Sequence, residues 1–150
     1  MLVMNKMDLD LRNYLQQYHD KLTWRERIQI TVNIIKALEY IHRENAIHRD
    51  LHSGNILVKG IQRFIISDLG FCGPANKLPK SIYGNLFYIA PEVIVEKEYT
   101  FKSDIYSIAM LMWEISSGQP PFSNYDYEHD YYLAMDIVNG MRPKLYQGLL

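Results

Sequence analysis

The sequence predicts a mainly α-helical domain with a few short β-strands, and three observations carry that expectation. Thr23-Trp24-Arg25-Glu26 has the form of a capping box, in which threonine accepts from first-turn amides while Glu26 reaches back, and an apolar-periodic stretch follows it to about Arg43. A second helix is expected from near Thr100 to about Ser117, where Gly118 and then Pro120-Pro121 stop it. Between the two, Ile56–Lys59 and Phe64–Ser67 are short apolar runs joined at Gly60, the pattern of a hairpin.

At 150 residues the chain is long enough for one domain with its own core. Its net charge of -1 and scattered lysines and arginines give no reason to expect nucleic acid or an acidic membrane surface as partner. One cysteine, Cys72, excludes an internal disulfide and fits a reducing compartment. No apolar run is long enough to span a bilayer, and the N-terminus lacks a signal-peptide pattern. A cytoplasmic location is therefore expected.

Taken in order, Met1–Met4 reads as a short apolar strand. The stretch NKMDLDLRNYLQQYH then turns helical, with Leu11, Tyr14, Leu15 and Tyr18 at helix spacing. In the long helix, Ile28, Val32 and Ile35 form one stripe and Ile34, Leu38 and Ile41 an adjacent one, a face wide enough for burial against more than one neighbour. The segment between Asp68 and Glu92 has Gly, Pro, Asn and Lys without periodicity and reads as a loop. In the helix after Thr100, Ile105, Ile108, Leu111, Met112 and Ile115 leave few polar positions, so burial at a centre is expected. Asp104 enters that buried region and needs partners. A last helix is expected over about Asp130–Asn139, ended by Gly140 and Pro143.

The informative stretch is Ala46–Leu57, AIHRDLHSGNIL, where apolar ends pin a loop crowded with His48, Arg49, Asp50, His52, Ser53 and Asn55. Asn55 follows HRDL in register. An apolar segment then ends in SDLG at Ser67–Gly70, and APE follows at Ala90–Glu92. In this order and at these spacings the chain resembles the large lobe of a protein kinase, and the resemblance covers nearly all of it.

The resemblance implies a hinge and large lobe over residues 1–150, with the small lobe and the last large-lobe helices absent. It implies phosphoryl transfer from ATP, with Mg2+, to a hydroxyl of a protein substrate. Asp50 would accept the substrate hydroxyl proton, and Asn55 and Asp68 would hold magnesium. Hinge backbone near Asn5–Met7 would bond adenine, with Asn5, Met7 and Leu57 in the nucleotide site beside Asn55 and Asp68. Arg49 would meet a phosphorylated activation segment carrying Ser81 and Tyr83. Asp104 would bond the backbone of the catalytic loop, and His48 would pack as a structural residue. Leu69 replaces the usual phenylalanine and is expected beside His48, and Cys72 reads as a small apolar filler. Glu92 has no evident arginine partner.

Serine/threonine kinases usually carry lysine where this chain has His52, whereas tyrosine kinases place arginine there or at the position of Gly54. HRDLHSGN is similar to loops of the tyrosine-kinase-like group, so serine and threonine are the expected acceptors. Asn85 stands where serine/threonine kinases often keep a threonine that touches the catalytic aspartate.

No GxGxxG occurs in the chain, and Lys6, Lys21 and Lys36 come too late to replace a small-lobe lysine. The 150 residues alone are therefore expected to transfer phosphate poorly or not at all. The chain would then be a truncated gene model of a full kinase, a catalytically dead fragment, or a binding or scaffold module with Tyr125–Tyr132 as docking surface. Apolar surface is expected around Met1–Met4 and Leu57. A zinc hydrolase built on His42, His48 and His52 is the remaining enzyme alternative, without HExxH or paired cysteines to support it.

Overall fold

A computed structural model describes residues 9–60, 63–74, 84–96, 98–125 and 130–144. The expected strand at Met1–Met4, and Asn5, Met7, Ser81 and Tyr83, lie outside them.

The first described element is strand β1 (Leu9–Asp10), not helix. Helix α1 starts only at Leu11 and runs to Tyr18, because the Asp10 carboxylate accepts from the backbone N–H of Asn13 at 2.8 Å and ends the extended run. β1 pairs antiparallel with β3 (Ile56–Lys59), which pairs antiparallel with β4 (Arg63–Ile66), giving the order β1-β3-β4. The expected hairpin is therefore present, with its second strand beginning one residue earlier. A separate antiparallel pair joins β2 (Ala46–Ile47) to β5 (Gly73–Pro74).

Helix α2 (Trp24–Arg43) opens on the capping box as expected. Thr23 Oγ1 accepts from Glu26 N, and the Glu26 carboxylate accepts from Thr23 N. Short helix α3 (Pro91–Glu96) precedes α4 (Phe101–Ser117), and α5 (Asp130–Val138) follows. α4 ends at Gly118 in the left-handed conformation, φ +75. A Cβ there would also come within 2.6 Å of the His19 ring, so the position is closed to side chains on two counts.

α2 and α4 pack across the centre, burying Ile30, Ile34 and Leu38 of α2 against Ile108, Leu111 and Ile115 of α4. Leu11 and Leu15, Ile56, Val58 and Phe64, and Leu133 and Ile137 complete this core. A smaller cluster of Ile47, Ile89, Ala90, Val93 and Tyr99 lies beneath the polar loop.

Two expectations about these helices are corrected. Ile28 and Ile35 of α2, and Ile105 and Met112 of α4, are exposed. The buried face of α2 is the i, i+4, i+8 row of Ile30, Ile34 and Leu38, so only one of the two apolar stripes finds a neighbour. The other stripe is apolar without being core. On α4 the buried row instead includes polar side chains, Asp104, Ser107 and Glu114.

Candidate active site

β2 delivers the loop that follows it onto the first turns of α4. Thr100 caps that helix by accepting from Ser103 N, which leaves Asp104 facing inward with 1% exposure. Its Oδ2 accepts from His48 N at 2.8 Å and its Oδ1 from Arg49 N at 3.0 Å. His42 Nε2 stands 2.8 Å from Oδ2. A buried carboxylate with such donors is a satisfied one, and it fixes two successive residues of the loop, Arg49 with φ +73.

His48 is wholly buried. Asp50 N donates to its Nδ1 at 3.3 Å, so the ring proton sits on Nε2, which donates to Ser67 O at 3.0 Å. This ring is structural, and Leu69 does not pack beside it as expected. Leu69 is 57% exposed, and it is the Ser67 carbonyl that meets the His48 ring from this segment. The Arg49 guanidinium donates to Phe71 O and Pro74 O, tying the loop to the segment after Asp68.

Asp50 and Asn55 are brought together. Asn55 Nδ2 donates to Asp50 O at 2.9 Å and to Asp50 Oδ2 at 3.1 Å, within a 3-10 turn over Ser53–Asn55. Asp50 Oδ1 is buried without a donor among the described residues. Gly84, with φ +112, lies beside it, and a Cβ there would come within 3.0 Å of that oxygen. Asn85 does not reach Asp50; its side chain accepts from Phe87 N.

The hairpin carries Asp68 to the same place. Ser67 N and Oγ both donate to Asn55 O, at 2.8 and 2.9 Å, which sets Asp68 one residue from the Asn55 backbone. Asp68 is exposed with φ +55, and its Oδ1 accepts from Gly70 N at 3.4 Å. Leu57, half-buried, sits in β3 opposite Asp10 of β1.

A second polar chain was not foreseen from the sequence. Arg12 Nε donates to Ser53 Oγ at 3.2 Å, Ser53 Oγ lies 3.3 Å from Tyr88 Oη, and Tyr88 Oη donates to Glu114 Oε2 at 2.5 Å. Burial pushes the Glu114 carboxyl up, against the hydrogen bond from Tyr88. Burial, then the Glu114 charge, pushes the Tyr88 hydroxyl up as well. The available signal was a glutamate at helical spacing from Ser107 and Leu111, on an otherwise buried row.

Cys72 is half-buried, and burial raises its thiol, as suits a packed group. Among the described residues no three His, Cys, Asp or Glu side chains come together as a metal set, and His42 and His48 are held by protein groups, so the zinc alternative has no ligands. No described helix is long and apolar enough to cross a membrane.

The sequence pattern of the family described as "Protein kinase domain" matches residues 1–145. The chain belongs to the protein kinase family. It is 31% identical over 149 residues to the "Probable serine/threonine-protein kinase roco5" of Dictyostelium discoideum, covering 92% of this chain and 5% of that protein. It is 35% identical over 109 residues to "Serine/threonine-protein kinase PAK 5" of Rattus norvegicus, covering 71% and 15%. It is 33% identical over 118 residues to the "Dual serine/threonine and tyrosine protein kinase" of Homo sapiens, covering 79% and 12%. The chain thus spans 5% to 15% of the length of these curated kinase relatives.

Proposed function

We propose that this kinase-family chain is the hinge and large lobe of an ATP-dependent protein kinase that phosphorylates protein hydroxyls, serine and threonine first. The observation that carries the reading is the state of Asp50: one carboxylate oxygen is held by Asn55, and the other, beside Gly84, is without a donor among the described residues. A substrate hydroxyl is the donor this oxygen lacks. Asp50 accepts its proton and orients it for attack.

The same residues fit Mg2+ and ATP. Asn55 turns its amide nitrogen to Asp50, which leaves its carbonyl oxygen as a hard ligand, and the exposed carboxylate of Asp68 is a second. Asn55 and Asp68 would hold the metal, and Leu57, with Asn5 and Met7, the nucleotide. Magnesium ATP, when bound, supplies the phosphoryl group and neutralises charge on it. Positioning by the chain's own groups supplies much of the rate. Because Asp104 holds residues 48 and 49 through their backbone, Asp50 presents its carboxylate from a loop that cannot drift. The lone cysteine and the absence of basic patches support a cytoplasmic enzyme acting on proteins.

The test is phosphorylation of a mixed serine-, threonine- and tyrosine-containing substrate by the protein that carries this chain. Asp50→Asn is expected to lower kcat by roughly 10²–10⁴. Activity that survives Asp50→Asn unchanged would overturn the role of Asp50, and no phosphorylation by the unsubstituted protein would overturn the reading in favour of a binding module.

A further inference from the structure

His52 has no task in the mechanism above, yet its ring faces the catalytic carboxylate. Nε2 lies 3.7 Å from Asp50 Oδ1, near enough for a charge contact and too long for a hydrogen bond. Oδ1 is the oxygen without a donor among the described residues. The far side of the ring fixes its chemistry: the backbone N–H of Gly54 donates to His52 Nδ1 at 3.1 Å. A ring nitrogen that accepts carries no proton, so the neutral imidazole holds its proton on Nε2, aimed at Oδ1.

Gly54 contributes a second time. A Cβ at residue 54 would come to 3.0 Å from His52 Cε1 and Nδ1, so a side chain there would make the ring give by a few tenths of an ångström. The Tyr88 ring lies 6.0 Å from it on another side. His52 and Gly54 thus work as a pair.

We propose that His52, held as its Nε2–H tautomer by Gly54, is a positioning residue for Asp50: it offers Oδ1 a neutral donor while Asn55 holds Oδ2, fixing the carboxylate plane that the substrate hydroxyl meets. A lysine at this position would bring a permanent charge; the imidazole brings a directed N–H and none. Closing the contact needs a shortening of about 0.8 Å. The proposal rests on the reading of Asp50 as proton acceptor, and its test separates the two.

The first measurement is a two-bond 1H–15N correlation spectrum of the 150-residue chain with 15N-labelled histidine, at slightly alkaline pH. His52→Gln assigns the signal by removing it. The expected result is an Nε2–H pattern for His52, an Nε2 resonance that moves in Asp50→Asn, and mixed tautomers in Gly54→Ala. An Nδ1–H pattern in the unsubstituted chain, or an Nε2 resonance indifferent to Asp50→Asn, overturns the proposal. Neither outcome depends on phosphoryl transfer.

The second measurement uses the protein that carries the chain. His52→Leu, which keeps bulk and loses the donor, is expected to lower kcat roughly tenfold to hundredfold with KM for ATP unchanged. His52→Gln, which restores an N–H, is expected to recover most of that loss. Equal losses in both, or none in His52→Leu, sink the positioning role. Should Asp50→Asn leave the rate intact, the reading of Asp50 as proton acceptor falls while the tautomer assignment stands.

Discussion

Helix α4 buries two carboxylates on one face, ten residues apart, and solves the problem of each differently. Asp104, 1% exposed, accepts from the backbone N–H groups of His48 and Arg49 and meets the His42 ring. Glu114, 2% exposed, accepts from one phenol, Tyr88, and burial pushes its carboxyl up. Backbone donors cannot rotate away, so the first acid is an anchor for residues 48 and 49. The second joins a chain of side chains, Arg12 through Ser53 and Tyr88, whose members can each turn. One end of the helix therefore fixes the loop that carries Asp50, while the other braces its neighbour from the side.

The largest expected effect breaks the anchor. Asp104→Ala leaves two backbone donors and an imidazole unpaired in a buried place, and should cost about 3–5 kcal/mol. That is a large part of an ordinary domain's stability, read as a fall in the urea midpoint at unchanged slope. Asp104→Asn retains one acceptor and should cost less. A loss below about 1 kcal/mol in Asp104→Ala would put the two acids on a par.

Tyr88→Phe is the matching cut at the other end. It leaves Glu114 without its phenol donor and should cost about 1–3 kcal/mol. Glu114→Gln keeps an acceptor for Tyr88 and should cost less than that. The pair also predicts a pH response. A carboxyl raised in the folded state holds its proton more tightly folded than unfolded, so its contribution is complete below the ordinary carboxylate range. That contribution is lost as pH rises through the raised value. Stability should therefore decline from mildly acidic toward neutral pH, and Glu114→Gln should flatten the decline. An unchanged slope in that variant would mean that the Glu114 carboxyl titrates alike in the folded and unfolded chains.

The contrast also marks what the sequence could tell. Asp104 was legible because a carboxylate at the mouth of an apolar helix, in a chain with HRDL and Asn55 in register, has a known partner to seek. The helix limits were legible because Thr23 with Glu26, and Gly118, act on the backbone beside them. Glu114 was not legible, because its partners come from Tyr88 and Ser53, 26 and 61 positions away in the chain. Burial was overread for the same reason. Ile28, Ile105 and Leu69 are apolar, but only the packing decides whether another element covers them, and all three are exposed. His52 showed its residue type but not the Gly54 N–H that fixes its proton.

Ser107 lies between the two acids on the same face and offers the smallest and sharpest cut. Its hydroxyl donates to Tyr88 O at 2.8 Å and lies 3.2 Å from Ser103 O, so one proton serves two carbonyls. Ser107→Ala deprives the Tyr88 carbonyl of that donor, and an under-satisfied carbonyl is tolerated better than an orphaned N–H. Alanine also favours the helix interior over serine by a few tenths of a kcal/mol. The net loss should be about 0.5–1 kcal/mol. Measured together with Tyr88→Phe, it decides what holds Tyr88 in place. Additive losses would mean that the backbone and the phenol are held separately. A double variant no worse than Tyr88→Phe alone would mean that the Glu114 bond seats the whole residue, with Ser107 closing only once that bond is made.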